Sequence, residues 1–181
     1  IKETQEIINK LETGINPLVV YGIGGIGKSK LISAVALEYY KDEAFFCTYK
    51  GSLKKTIAKL AFGNMDDERV DEDEQYRRNL SYLRAEYHGK ILIIDNYDSG
   101  AKNWEELKRM DGYQAQDDQE SPWDDLTGIM KVIFTTRCYP GTGHVCVESM
   151  DDVWLLKLFR QAWNGEHIKE TEEDILELIR D

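Results

Sequence analysis

The hydrophobic positions along this chain alternate between two rhythms. Short aliphatic or aromatic runs stand at Leu18-Val19-Val20-Tyr21, Ala44 to Tyr49, Ile91 to Ile94, Lys131 to Thr136 and His144 to Val147. Such runs suit parallel strands buried on both faces. Between them apolar residues recur three and four apart, which is the stripe of an amphipathic helix. Helices are expected over Lys2 to Thr13 (Ile7, Ile8, Leu11 inward) and Ser29 to Tyr40 (Leu31, Ile32, Val35, Ala36, Tyr39 inward). Others are expected from Leu53 to Ala61, Tyr76 to His88, Asn103 to Met110 and Asp151 to about Trp163, with a last one capped by Thr171. Asp111 to Asp125 reads as a polar, acidic surface excursion. Strands alternating with helices predict an α/β domain, a parallel sheet covered on both faces. Ligands bind such sheets at the carboxyl ends of the strands.

One such end carries chemistry. Gly22-Ile23-Gly24-Gly25-Ile26-Gly27-Lys28-Ser29 reads G-x-x-x-x-G-K-[ST], the phosphate-binding loop, between a strand and a helix as that motif requires. The glycines let the backbone curl its N–H groups toward phosphate oxygens, and the helix presents its positive end to the same place. Lys28 is expected to reach the β- and γ-phosphates, and Ser29 to ligate Mg²⁺. The candidate nucleotide-binding set is Gly22, Gly24, Gly25, Ile26, Gly27, Lys28, Ser29 and Lys30. Asp95 closes the Ile91–Ile94 run and is the expected second Mg²⁺-side ligand. Arg137 follows Thr135-Thr136. From spacing alone, a γ-phosphate contact and an ordinary surface arginine have equal weight there.

Composition narrows the partners. The 181 residues are 41% hydrophobic, enough for a packed core. A net charge of -11 argues against direct nucleic-acid binding, because no basic field holds a phosphate backbone. Cys47, Cys138 and Cys146 have no metal-ligand spacing and read as buried thiols. With no signal peptide or membrane-length apolar run, a cytoplasmic domain is expected. The run MDDERVDEDE at 65–74 reads as a solvated face. The tryptophans at 154 and 163 read as core, and Trp123, inside the acidic excursion, as a candidate partner contact.

The segments GIGGIGKSKL, ILIIDNYD, KVIFTTR and MDDVWLLKLFRQAW resemble, in that order, the nucleotide-binding core of the STAND ATPases. That class includes plant resistance proteins, apoptotic scaffolds and bacterial regulators of the NB-ARC type. The Thr-Thr-Arg element is the discriminating part, since AAA-type relatives usually carry Asn there. The resemblance spans nearly the whole chain. It implies a single P-loop NTPase domain over 1–181, three-layered α/β/α, with a parallel five-stranded sheet in the order 5-1-4-3-2. It also implies ATP/ADP with Mg²⁺, catalytic roles for Lys28 and Asp95, and Arg137 as γ-phosphate sensor.

The family often has a second acid directly after the Asp. Here it is Asn96, with Asp98 nearby as a candidate base, so slow hydrolysis is expected. The Gly-Leu-Pro-Leu element, the winged-helix histidine motif and the Gly-Arg segment near adenine are absent from this sequence, which implies a core taken from a multidomain protein. The expected function is a nucleotide-dependent switch working with other domains of its chain, with nucleotide-driven homo-oligomers. A non-hydrolysing nucleotide-bound module is the main alternative. A small-molecule kinase is the weaker one, since the 111–125 stretch lacks a lid's arginines.

Overall fold

In β1 (Leu18–Tyr21), β3 (Ile91–Asp95) and β4 (Lys131–Thr136), successive side chains enter opposite hydrophobic layers. Val19, Leu92, Ile94, Val132 and Phe134 face one layer; Leu18, Val20, Ile91, Ile93 and Ile133 face the other. The period of two along a strand requires this, and two covered faces explain why the runs are continuously apolar. With β2 (Ala44–Thr48) and β5 (Val145–Cys146) they form a five-stranded sheet ordered β2-β3-β4-β1-β5, with all four neighbour pairings parallel. Read from the other edge, this is the expected 5-1-4-3-2.

The computed structural model describes residues 2–62, 70–98, 100–111, 121–148, 156 and 171–180. The chain divides into two compact units, residues 1–147 and 148–181. In the first, α1 (Lys2–Glu12) and α2 (Lys28–Val35) supply Ile7, Ile8, Leu11, Ile32 and Val35 to one layer. The opposite layer takes Leu53 and Ile57 from α3 (Leu53–Ala58), Leu80 and Leu83 from α4 (Glu72–Glu86), and Trp104 and Leu107 from α5 (Trp104–Met110). It also takes Trp123, Leu126 and Ile129 from α6 (Pro122–Ile129). The second unit contains α7 (Glu172–Arg180). Thr171 and Asp174 cap it reciprocally: the Asp174 N–H donates to Thr171 Oγ1 at 3.2 Å and the Thr171 N–H to Asp174 Oδ2 at 2.9 Å. Of the helix expected from Asp151, only Leu156 lies within the described residues; it is helical and buried.

Three local expectations are corrected. Tyr39 does not face inward: it is 50% exposed, because the helix after Val35 widens into a π-helical turn, Ala36–Tyr40, which shifts later side chains around the axis. The helix begun by Leu53 stops at Ala58, leaving Ala61 exposed. The stretch from Asp111 is not all surface. Asp111 is buried and accepts hydrogen bonds from Tyr49 Oη (2.9 and 3.1 Å) and the Leu53 N–H (2.7 Å). Ser121 then caps α6, with Pro122 in its first turn where no N–H is needed. Trp123 is 5% exposed, and its ring packs 4.9 Å from Phe134 and 5.7 Å from Trp104. It is a core residue rather than a partner contact, because α6 turns its Trp123–Leu126–Ile129 stripe onto the sheet.

Candidate functional site: the phosphate-type loop and the ends of β3 and β4

The parallel register brings the site residues to one edge. β1 pairs with β4 so that Val20 lies beside Thr135 and Tyr21 beside Thr136, and β3 runs along the other side of β4. The glycine loop leaving β1, Asp95 ending β3 and Arg137 following β4 therefore meet.

The loop depends on its glycines at two points. Gly27 caps α2 at φ 102°, a left-handed conformation that costs a side-chain-bearing residue about 1–2 kcal/mol. Gly22 passes so close to the Val147 carbonyl that a Cβ would sit 2.5 Å from its oxygen. Lys28, 8% exposed, folds back under the loop, its Nζ donating to the carbonyls of Gly22 (2.9 Å) and Ile23 (2.8 Å). Burial lowers its pKa, the neighbouring Arg137 charge adds to that, and Asp95 and Asp98 oppose it. All four charges act on one small volume.

Ser29, one residue into α2, donates from Oγ to Asp95 Oδ1 at 2.7 Å. Thr135 Oγ1 donates to the same oxygen at 2.5 Å and accepts from the Asn96 N–H at 2.9 Å. The Tyr97 N–H donates to the Thr135 carbonyl at 2.8 Å, so the chain leaving β3 is clamped to β4 through one threonine. Asn96 itself is held at φ 55°, a conformation asparagine tolerates better than most residues. A hydroxyl and a carboxylate side by side at the mouth of the loop suit Mg²⁺, which takes few protein ligands and completes its shell with phosphate oxygens and water. No group of three or more His, Cys, Asp or Glu with metal-binding geometry exists among the described residues.

Arg137 is 70% exposed, and its guanidinium lies over the loop: a Cβ on Gly24 would contact Arg137 Cζ and Nε at 3.6 Å. Its Nε is 3.3 Å from Asp98 Oδ2. Lys28, Ser29, Asp95 and Arg137 thus come together with Gly22, Gly24, Gly25, Ile26 and Gly27, whereas Lys30 is exposed on α2. Two residues carry roles beyond those expected: Thr135, part of the Thr-Thr-Arg element, is also a hydrogen-bond partner of Asp95, and Asp98, the candidate base, is the ion-pair partner of Arg137. The signal for Thr135 was a buried hydroxyl in a strand of aliphatics.

No protein-family model matches the chain, and no curated protein does. Among solved structures, the Orc1 protein of Aeropyrum pernix in complex with DNA is similar, with a TM-score of 0.60 at 13% identity. The match covers 88% of this chain and 48% of that one, so this chain spans about half the length of its neighbour. At that identity the likeness speaks for fold alone. Together with the strand order and the loop between β1 and α2, it makes this a P-loop NTPase fold, a three-layer α/β/α domain on a parallel five-stranded sheet.

Proposed function

We propose that this chain is the nucleotide-binding core of a STAND-class signal-transduction ATPase, a switch between ADP and ATP states with slow hydrolysis. The observation that carries the reading is the Ser29–Asp95 hydrogen bond of 2.7 Å beside the glycine loop, with Lys28 beneath it and Arg137 above it. In this reading Gly22, Gly24, Gly25, Ile26, Gly27, Lys28 and Ser29 hold the phosphates, with Lys30 following them on α2. Ser29 and Asp95 hold Mg²⁺, which when bound draws phosphate charge toward the protein. Lys28 and Arg137 carry the remaining phosphate charge, donating to oxygens from opposite sides of the loop.

Slow turnover is part of the proposal. The residue after Asp95 is Asn96, whose side-chain amide is not a base, and Asp98 is ion-paired to Arg137. Neither is poised to take a proton from water. The same observations favour the second reading, a module in which nucleotide is bound and not hydrolysed. Other domains of the same chain, and nucleotide-driven homo-oligomers, are the partners this function needs. The DNA of the Aeropyrum pernix structure is not extended to this chain, whose net charge of -11 repels a phosphate backbone. No described helix is long and apolar enough to cross a membrane, and a cytoplasmic setting is proposed.

The test is titration of the chain with ADP and with ATP in the presence of Mg²⁺, together with a steady-state hydrolysis assay. Micromolar binding of both with turnover well below once per second supports the switch. Binding without any turnover favours the non-hydrolysing module, and transfer of phosphate to an added acceptor would move the chain to the kinases.

A further inference from the structure

Arg137 has two neighbours of different kinds. Its guanidinium rests on Gly24, in the loop built for phosphate, and its Nε is 3.3 Å from the carboxylate of Asp98. Asp98 lies three residues past the end of β3 and is 23% exposed. It takes no part in the Ser29, Thr135 and Asn96 bonds around Asp95. A carboxylate and a phosphate oxygen are both anionic acceptors for a guanidinium, and each prefers the same fork of donors. We infer that Asp98 is a positioning residue: it holds Arg137 when no third phosphate is present and competes with the γ-phosphate for it.

This rests on the nucleotide reading above and adds a determinant of ATP-over-ADP preference. ADP carries no γ-phosphate and leaves the Arg137–Asp98 pair intact. ATP must draw Arg137 away, and the lost ion pair weakens its binding. A ligand shifts such a balance only by its differential contacts, and here one residue supplies the difference. The arginine side is largely exposed, so solvent screening keeps the effect to about two- to fivefold in affinity.

The experiment compares Mg²⁺-ADP with the Mg²⁺ complex of the β,γ-imido ATP analogue. It uses the native chain, Asp98→Asn, Asp98→Glu, Arg137→Ala and the Asp98→Asn/Arg137→Ala double variant, each checked for native unfolding temperature. Asp98→Asn should tighten the analogue about two- to fivefold and leave ADP unchanged. Asp98→Glu should behave like the native chain, and in the Arg137→Ala background Asp98→Asn should do nothing. An equal change for both nucleotides, no change for the analogue, or a gain that persists without Arg137 overturns the inference. Native chain that binds neither nucleotide defeats the nucleotide reading itself, and this inference with it; normal binding with an unaltered ratio in Asp98→Asn defeats only the role of Asp98.

Discussion

The Ser29 hydroxyl donates a 2.7 Å hydrogen bond to Asp95 across a sequence separation of 66 residues, joining the first turn of α2 to the end of β3. Neither residue is a neighbour of the other except through the sheet, in which β4 lies between β1 and β3. If this pair is the protein's share of a Mg²⁺ site, Ser29→Ala and Asp95→Asn should each weaken Mg²⁺-dependent nucleotide binding by about tenfold or more. Residues that only orient a ligand already cost that much. Binding measured with and without EDTA checks it; variants that keep the full Mg²⁺ dependence would contradict it.

Thr135 is the hinge of the same arrangement, fully buried, giving one hydrogen bond to Asp95 and taking one from the Asn96 N–H. Thr135→Val keeps the shape and deletes the hydroxyl. The Asn96 N–H then loses its acceptor, and the expected loss is about 1–3 kcal/mol in unfolding free energy. Urea denaturation reads this directly. Thr135→Ser should recover most of it, and a Val variant as stable as the native chain would show that the clamp contributes nothing.

Trp123 belongs to an aromatic group with Tyr97, Trp104 and Phe134 beneath the sheet. Trp123→Ala should cost about 3–5 kcal/mol, the range for emptying a large aromatic site. A near-native melting temperature, with a defect only in association, would return Trp123 to the surface role its acidic surroundings suggest.

Asp111 makes stability depend on pH. Burial raises its pKa above the ordinary carboxylate value, and the hydrogen bonds from the Leu53 N–H and the Tyr49 hydroxyl only partly offset this. A folded-state pKa above the unfolded one means the folded chain binds the proton more tightly. The associated stability is present below the unfolded value, about 3.9, and is lost as pH rises through the raised one. Asn has no such proton. The unfolding free energy of the native chain minus that of Asp111→Asn should therefore fall as pH rises from about 4. A difference that stays flat, or grows, would show that burial does not govern this carboxyl.

Much of this architecture is legible in the chain. The aliphatic runs at 18–21, 91–94 and 131–136 became strands, with their alternate residues divided between two cores. The loop motif fell between β1 and α2, as its chemistry demands. Three features were hidden for physical reasons. α6 follows an acidic stretch, and its Ser121-Pro122 start was outweighed by the charge around it. Asp111 sits in a polar sequence, and only tertiary structure supplies the Tyr49 and Leu53 donors that let it be buried. The Arg137–Asp98 pair depends on β3 and β4 being neighbours, and residue spacing alone does not state which strands adjoin.

The most direct test of the central claim is calorimetric titration of the native chain and of Lys28→Ala with ADP and ATP in Mg²⁺. Lys28 is the cation under the loop, bound to the Gly22 and Ile23 carbonyls, and it is the residue the phosphates would recruit. The account predicts micromolar or tighter binding by the native chain and a loss of at least about tenfold, 1.4 kcal/mol, in a Lys28→Ala variant that remains folded. Equal affinities in the two chains would mean that nucleotide, if bound at all, is held somewhere other than this loop.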